Sequence, residues 1–265
     1  MKKTAKAAAL IAAMVLAAGL TACQKKDGAE ASGAAQKSAG TAKAAKPTPV
    51  NEFSRELTED GNGVKILKYN GSAKSVVIPS EIEGLPVKII DANAFNHNET
   101  MKSVIIPDSV EKIGGGAFCS CTALERVTLG NSVQVIDYRD GVYGASGVFE
   151  ECTALKSITI PDSVKEIGGS AFKGCTALQS IIIPDSVEKI GESAFCDCSA
   201  LKSVTLGNSV QVIGNMAFYY CTALQSLTIP DSLQKIKFEY SVFKETELPL
   251  ATQARLKALG YTGNF

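Results

Sequence analysis

From residue 74 onward the apolar positions recur in one fixed order, at neither a purely helical nor a purely strand period. The stretch 175–197 reads Cys-Thr-Ala-Leu-Gln-Ser-Ile-Ile-Ile-Pro-Asp-Ser-Val-Glu-Lys-Ile-Gly-Glu-Ser-Ala-Phe-Cys-Asp. Leu178, Ile181 and Ile183 have the spacing of a short strand whose alternate residues point inward. Pro184 cannot donate to a ladder and ends the strand. Asp185 and Ser186 favour a turn. Val187 and Ile190 return the chain to the core, Gly191 suits a special backbone angle, and Phe195 plugs the far side. The order returns around Ile106-Pro107-Asp108-Ser109-Val110, at 160–164, and as Ile229 to Leu233; Leu129-Gly130-Asn131-Ser132-Val133 and the copy at 206–210 are variants. A divergent first copy is Ile78-Pro79-Ser80.

The steps between positions 79, 107, 130, 161, 184, 207 and 230 are 28, 23, 31, 23, 23 and 23. A period of 23 lies in the range of leucine-rich repeats. One such turn cannot bury its apolar face alone, whereas stacked turns share a continuous core. The sequence therefore predicts a leucine-rich repeat solenoid (an α/β or mostly-β repeat) of about seven 23-residue turns with a short parallel sheet. The ends need closing. Val64 to Tyr69 alternates like a strand, and Asn70-Gly71 reads as a hairpin turn into the first repeat strand, giving an N-terminal β-hairpin cap. Leu250 to Leu259 reads as a short amphipathic helix stopped by Gly260, a C-terminal helical cap.

Composition changes the picture at the N-terminus. Lys2, Lys3 and Lys6 precede an uncharged run from Ala7 to Ala18, too short to span a bilayer as a permanent helix. The run leads to Leu20-Thr21-Ala22-Cys23, which resembles the lipobox of bacterial lipoproteins. That resemblance implies cleavage before Cys23 and lipidation of its thiol; an ordinary signal peptide with a chance Cys is the alternative. Gln24, where an Asp would mark inner-membrane retention in some bacteria, favours the outer membrane or cell surface. Residues 24–50 are rich in Ala, Lys, Gly, Ser and Thr, and read as a flexible tether. The expected organisation is 1–22 signal peptide, 23–50 lipidated Cys and linker, 51–247 solenoid and 248–265 cap.

Charge narrows the function classes. The chain has 27 basic and 27 acidic residues, and cleavage removes three lysines. A balanced to slightly acidic chain lacks the basic footprint of a nucleic-acid binder or a general membrane-surface binder, so only the lipid is expected to hold it at a membrane. With one His, His97, and no P-loop, G-x-S-x-G, H-E-x-x-H or dinucleotide motif, no catalytic residue, metal or cofactor is expected.

The frame I-P-x-S-V-x-x-I-G-x-x-A-F-x-x-C, over about residues 63–247, resembles the BspA-like, treponemal-type group of bacterial leucine-rich-repeat proteins. Members are typically surface or secreted, and several act as adhesins toward host matrix proteins, host cells or other bacteria. The resemblance thus implies a surface-exposed or periplasmic binding module, adhesin-like, with a protein ligand. A structural or assembly lipoprotein with partners inside the cell envelope is the alternative. A monomer is expected.

Two features are candidates for partner contact. Outward strand positions form columns: Ser103, Arg126, Ser157, Ser180, Ser203 and Ser226 in one, Thr128, Thr159, Thr205 and Thr228 in another, flanked by a Lys-rich third. They read as a flat binding strip, or as a solvated face of small β-compatible residues. From Ile136 to Phe149 the chain takes 13 steps where Ile113 to Phe118 takes 5. The additional residues, with Tyr138, Arg139 and Tyr143, read as a surface loop or a ligand-contacting one. Cys121, Cys152, Cys175, Cys198 and Cys221 share one repeat position. They are expected to be a buried column of free thiols bonding backbone, although adjacent turns fall within disulfide range. Cys119 and Cys196 each precede a column Cys by two, a spacing unlike that of zinc sites. His97 is expected on a turn surface.

Overall fold

The computed structural model describes residues 46–138 and 146–265. The signal peptide, Cys23, most of the tether, Arg139 and Tyr143 lie outside the described residues, as does the side chain of Tyr138.

The described residues form a mostly-β solenoid of about seven coils, tied coil to coil by three ladders, the first of which is interrupted once. The first ladder is the strip expected from the sequence. Strands Ser75–Val77, Ser103–Ile105, Arg126–Thr128 and Ser157–Thr159 make one parallel sheet. Strands Ser180–Ile182, Ser203–Thr205 and Ser226–Thr228 make another. Their central residues, Val104 to Leu227, are buried.

The second ladder lies past the Pro-Asp-Ser-Val turn and was not read from the sequence. Val-x-x-Ile looked like a return path, but its last two residues pair in parallel, Ile167↔Ile190 and Ile190↔Ile213 among them. These short strands continue a sheet that begins at the N-terminal cap and ends at Lys237–Phe238. A two-residue strand is hard to see by alternation, because only one side chain of each pair points inward.

The third ladder runs along the Phe edge. The Phe195 N–H donates to the Ala217 carbonyl at 2.8 Å, and Phe172 to Ala194 in the same way. Each such turn is made by residues in the left-handed region, for example Ser193 at φ 54° and Asp197 at φ 58°. The expected special angle therefore sits two residues after Gly191, not at it. Gly191 is required for a different reason: a Cβ there would come 2.6 Å from the Gly168 carbonyl carbon of the preceding coil. Gly191→Ala should cost about 1–3 kcal/mol by forcing two coils apart. A urea midpoint equal to wild type would show that the coils give way freely.

The Phe rings stack down the core. Phe95, Phe118, Phe149, Phe172, Phe195, Phe218 and Phe243 are fully buried. Successive centroids lie 4.7 Å (Phe95–Phe118) to 5.5 Å (Phe218–Phe243) apart. The column is closed at both ends by aromatic side chains. Tyr69 stacks on Phe95 at 5.2 Å, and Tyr261 meets Phe243 edge-on at 5.4 Å.

The N-terminal hairpin differs from the expected one. Val64–Tyr69 pairs antiparallel with Phe53–Leu57, so the hairpin turn is at 58–63 and not at Asn70-Gly71. The Thr58 N–H donates to the Gly63 carbonyl, and Gly61 supplies φ 68°. Asn70 instead leads the chain across to the other sheet. The ordered cap also begins earlier than residue 51. Thr48 is buried, its N–H donates to the Val77 carbonyl and its hydroxyl accepts from the Val77 N–H, both at 2.9 Å, covering the first strand of the strip.

At the C-terminus the helix Leu250–Ala258 closes the last coil. Gly260, at φ 108°, lets the Tyr261 N–H reach the Leu256 carbonyl and the Gly260 N–H reach Lys257, a Schellman motif. Leu256, Leu259 and Tyr261 are thereby buried on the last coil.

Candidate functional site

The strip places its residues as the repeat spacing requires. Alternation sends Val127 inward and leaves Arg126 and Thr128 exposed; Ser157 and Thr159 flank buried Ile158 in the same way. Ser103, Arg126 and Ser157 are laterally paired, as are Ile105, Thr128 and Thr159. Ser180, Ser203 and Ser226 form the corresponding row of the second group, with Ile182, Thr205 and Thr228 beside it. The predicted columns are therefore real rows, divided between a four-stranded and a three-stranded sheet. The hydroxyls interact little with one another. Ser103 Oγ donates to Ser75 Oγ at 3.0 Å, and Ile182 stands 69% exposed in the Thr row.

Charge on the strip is gathered around Glu125. Its carboxylate lies 3.4 Å from Lys102 Nζ, 3.6 Å from Lys156 Nζ and 3.9 Å from Arg126 Nη1. Lys156, then Lys102, hold its carboxyl below the usual range. All four groups are open to water, so the pairing itself adds little stability.

Tyr138 ends strand Val135–Tyr138 and pairs with Gly114 in the sheet opposite the strip; the insertion residues after it lie outside the described residues. A groove of about 750 Å³ is lined by Ser146, by Gly168, Gly191 and Gly214, and by Glu166 and Glu192. The sequence reading missed it. Its one signal was the recurrent Ile-Gly pair, which leaves a line of positions without side chains.

The five column cysteines are buried and free. Each thiol donates to a Phe carbonyl of the preceding coil: Cys121 to Phe95 at 3.2 Å, Cys175 to Phe149 at 3.2 Å, Cys221 to Phe195 at 3.1 Å. Burial pushes the Cys121 thiol up to about 12 and the other four in the same direction. Cys196, beside Asp197, is pushed to about 11, first by burial. These groups are poor nucleophiles and poor metal ligands, because both roles need the thiolate. Among the described residues no group of three or more His, Cys, Asp or Glu is arranged to hold a metal ion. His97 is exposed at φ 56°. Among the same residues no helix is long and apolar enough to cross a membrane.

The T. pallidum leucine rich repeat protein, a crystal structure, is 35% identical to this chain. The match has a TM-score of 0.76 and covers 83% of this chain and 99% of that one. A leucine-rich repeat protein from Bacteroides ovatus is 25% identical with a TM-score of 0.56, covering 76% of this chain and 57% of that one. No curated protein sequence matches. The pattern described as the BspA type leucine rich repeat region matches residues 65–139 and 145–253 in six copies. Repeats of this kind form protein-interaction scaffolds, and on both grounds the chain belongs to the BspA-type leucine-rich repeat family.

Proposed function

We propose that this protein is a lipid-anchored binding module of the bacterial envelope, surface-exposed or periplasmic, that holds a protein ligand in adhesin-like fashion. The observation that carries this reading is the strip itself. Seven short strands, four in one parallel sheet and three in another, present their outward side chains in register within each sheet, from Ser75 to Thr228. Such a surface loses little conformational freedom on binding, so more of the contact energy appears as affinity. Ser103, Arg126, Thr128, Ser157, Thr159, Ser180, Ser203, Thr205, Ser226 and Thr228 form the contact surface in this reading, with Tyr138, Arg139 and Tyr143 as a separate contact. Residues 1–22 act as the export signal, Cys23 carries the lipid, and the residues before the cap act as the tether. The solenoid works as a monomer and needs no cofactor.

The test is binding of the full chain to immobilised host matrix proteins, epithelial cells and bacterial cells, beside a Thr128→Glu, Thr159→Glu, Thr205→Glu variant. These positions are outward, so the variant should keep its thermal transition. Saturable binding by the wild type and a loss of about tenfold or more in the variant are expected. Absence of saturable binding to every surface would overturn the adhesin reading in favour of a partner inside the envelope.

A further inference from the structure

We propose that the strip takes an acidic, partly apolar protein segment, laid across the four-stranded sheet and on toward Ile182. The inference rests on the strip being the binding face and names its ligand class.

The first observation is a segregation of charge. The chain carries 27 acidic and 27 basic residues. The three outward columns hold five cations, Lys74, Lys102, Arg126, Lys156 and Lys202, and a single carboxylate, Glu125. The other acids lie elsewhere in the chain. Four of the five cations lie in the four-stranded sheet or immediately before one of its strands, Arg126 within it and Lys74, Lys102 and Lys156 one residue ahead, so the charge is concentrated at one end of the strip.

The second observation is how Glu125 holds these cations. Its side chain is 27% exposed, whereas those of Lys102, Arg126 and Lys156 are 53%, 71% and 64% exposed. The carboxylate sits lower than the three cations it gathers. It offsets their mutual repulsion while their remaining donors face solvent, and the group keeps a net positive charge. The backbone fixes the spacing, because the Glu125 N–H donates to the Lys102 carbonyl at 2.9 Å and Lys156 donates to Glu125. A ligand carboxylate meets a preassembled set of donors, and a charge-assisted hydrogen bond is stronger than a neutral one.

The third observation chooses between polyanions. The row beside the cations carries half-buried Val77 and Ile105, and the neighbouring sheet adds Ile182, 69% exposed. A sulfated glycan gains nothing from these side chains, whereas a peptide with alternating acidic and apolar residues covers them.

Binding of the full chain to two labelled peptides, one of repeated Glu-Ile-Ser and one of repeated Gln-Ile-Ser, tests this, with a heparin oligosaccharide as the third probe. The Glu peptide should bind at least about tenfold more tightly than the Gln peptide, with the advantage lost as salt rises toward about 1 M. Neutralising three cations together (Lys102→Gln, Arg126→Gln, Lys156→Gln) should remove most of that advantage. Glu125→Gln should strengthen binding, because the ligand no longer competes with an internal carboxylate; a purely structural Glu125 would give the opposite sign. Ile182→Ser should weaken the peptide and leave heparin unchanged. Equal binding of the two peptides, tighter binding of heparin than of the Glu peptide, or indifference to the triple charge variant overturns the inference. The same charge variant on matrix proteins and cells separates the two readings. Wild-type binding that survives it keeps the strip as a binding face and removes the acidic ligand, whereas no wild-type binding to any surface removes the adhesin reading itself.

Discussion

Raising the pH of the reduced protein above about 9 is expected to unfold it steeply, because five thiols are locked in their neutral form. Burial disfavours each thiolate, so in the folded state Cys121, Cys152, Cys175, Cys198 and Cys221 all titrate well above the ordinary value of about 9. The unfolded chain releases those protons first. The stabilisation is therefore complete below about pH 9 and is lost as pH rises toward the folded values, at about 1.4 kcal/mol per pH unit per thiol. Because the five shifts act in the same direction, the combined loss is large beside a typical whole-domain stability of about 5–15 kcal/mol. Urea midpoints measured between about pH 8 and pH 11 under a reducing agent read this directly. Cys175→Ala should lower the alkaline slope by about one fifth while lowering stability at neutral pH. A stability flat through about pH 10.5 would mean that the column admits water and that its thiols ionise in place.

Much of this architecture was legible because each coil repeats the same demands. Leu178, Ile181, Ile183, Val187, Ile190 and Phe195 are all buried, in the positions their spacing assigned. The outward rows followed from alternation alone. What escaped was set by contacts between coils that no single coil displays. The pairing of Ile190 with Ile213 lies in a two-residue strand, too short to show a period. Gly191 looked like a positive-φ residue, but its constraint is the backbone of another coil. The hairpin was misplaced because Asn70-Gly71 is a good turn dipeptide, whereas Asp60-Gly61 and Asn62-Gly63 after Phe53–Leu57 were equally good ones that went unread. At the site, the columns and the Lys-rich row beside them were visible, whereas the clustering of three cations on Glu125 was not, because it is a fact about side-chain reach.

Phe195→Ala should be the most damaging single truncation in the core. Phe195 is fully buried, its ring centroid 5.2 Å from that of Phe172 and 5.2 Å from that of Phe218, stacked nearly parallel to both. Removing the ring opens a cavity in the middle of a continuous column, where neither neighbouring coil can move in without breaking its own ladders. The cost is about 3–5 kcal/mol, which for a domain of this size lowers Tm by about 6–20 °C. Scanning calorimetry at neutral pH checks it. A Tm within a degree or two of wild type would mean that the ring column is not the core of the solenoid. The same change at Phe243, where Tyr261 and Phe265 crowd the ring from outside, should cost less, because the cap can settle inward.

Because the coils meet their neighbours through the same few ladders and the same ring column, the fold is forgiving of recombination in a way most cores are not. Residues 129–136 and 206–213 are identical over Leu-Gly-Asn-Ser-Val-Gln-Val-Ile, and 175–180 and 221–226 share Cys-Thr-Ala-Leu-Gln-Ser. Unequal crossing-over between such stretches would delete or duplicate whole coils, and each new junction would reproduce a contact already present. A lineage can therefore lengthen or shorten the strip in steps of about 4.8 Å without redesigning its interior. A change that is not a whole coil cannot be absorbed in this way.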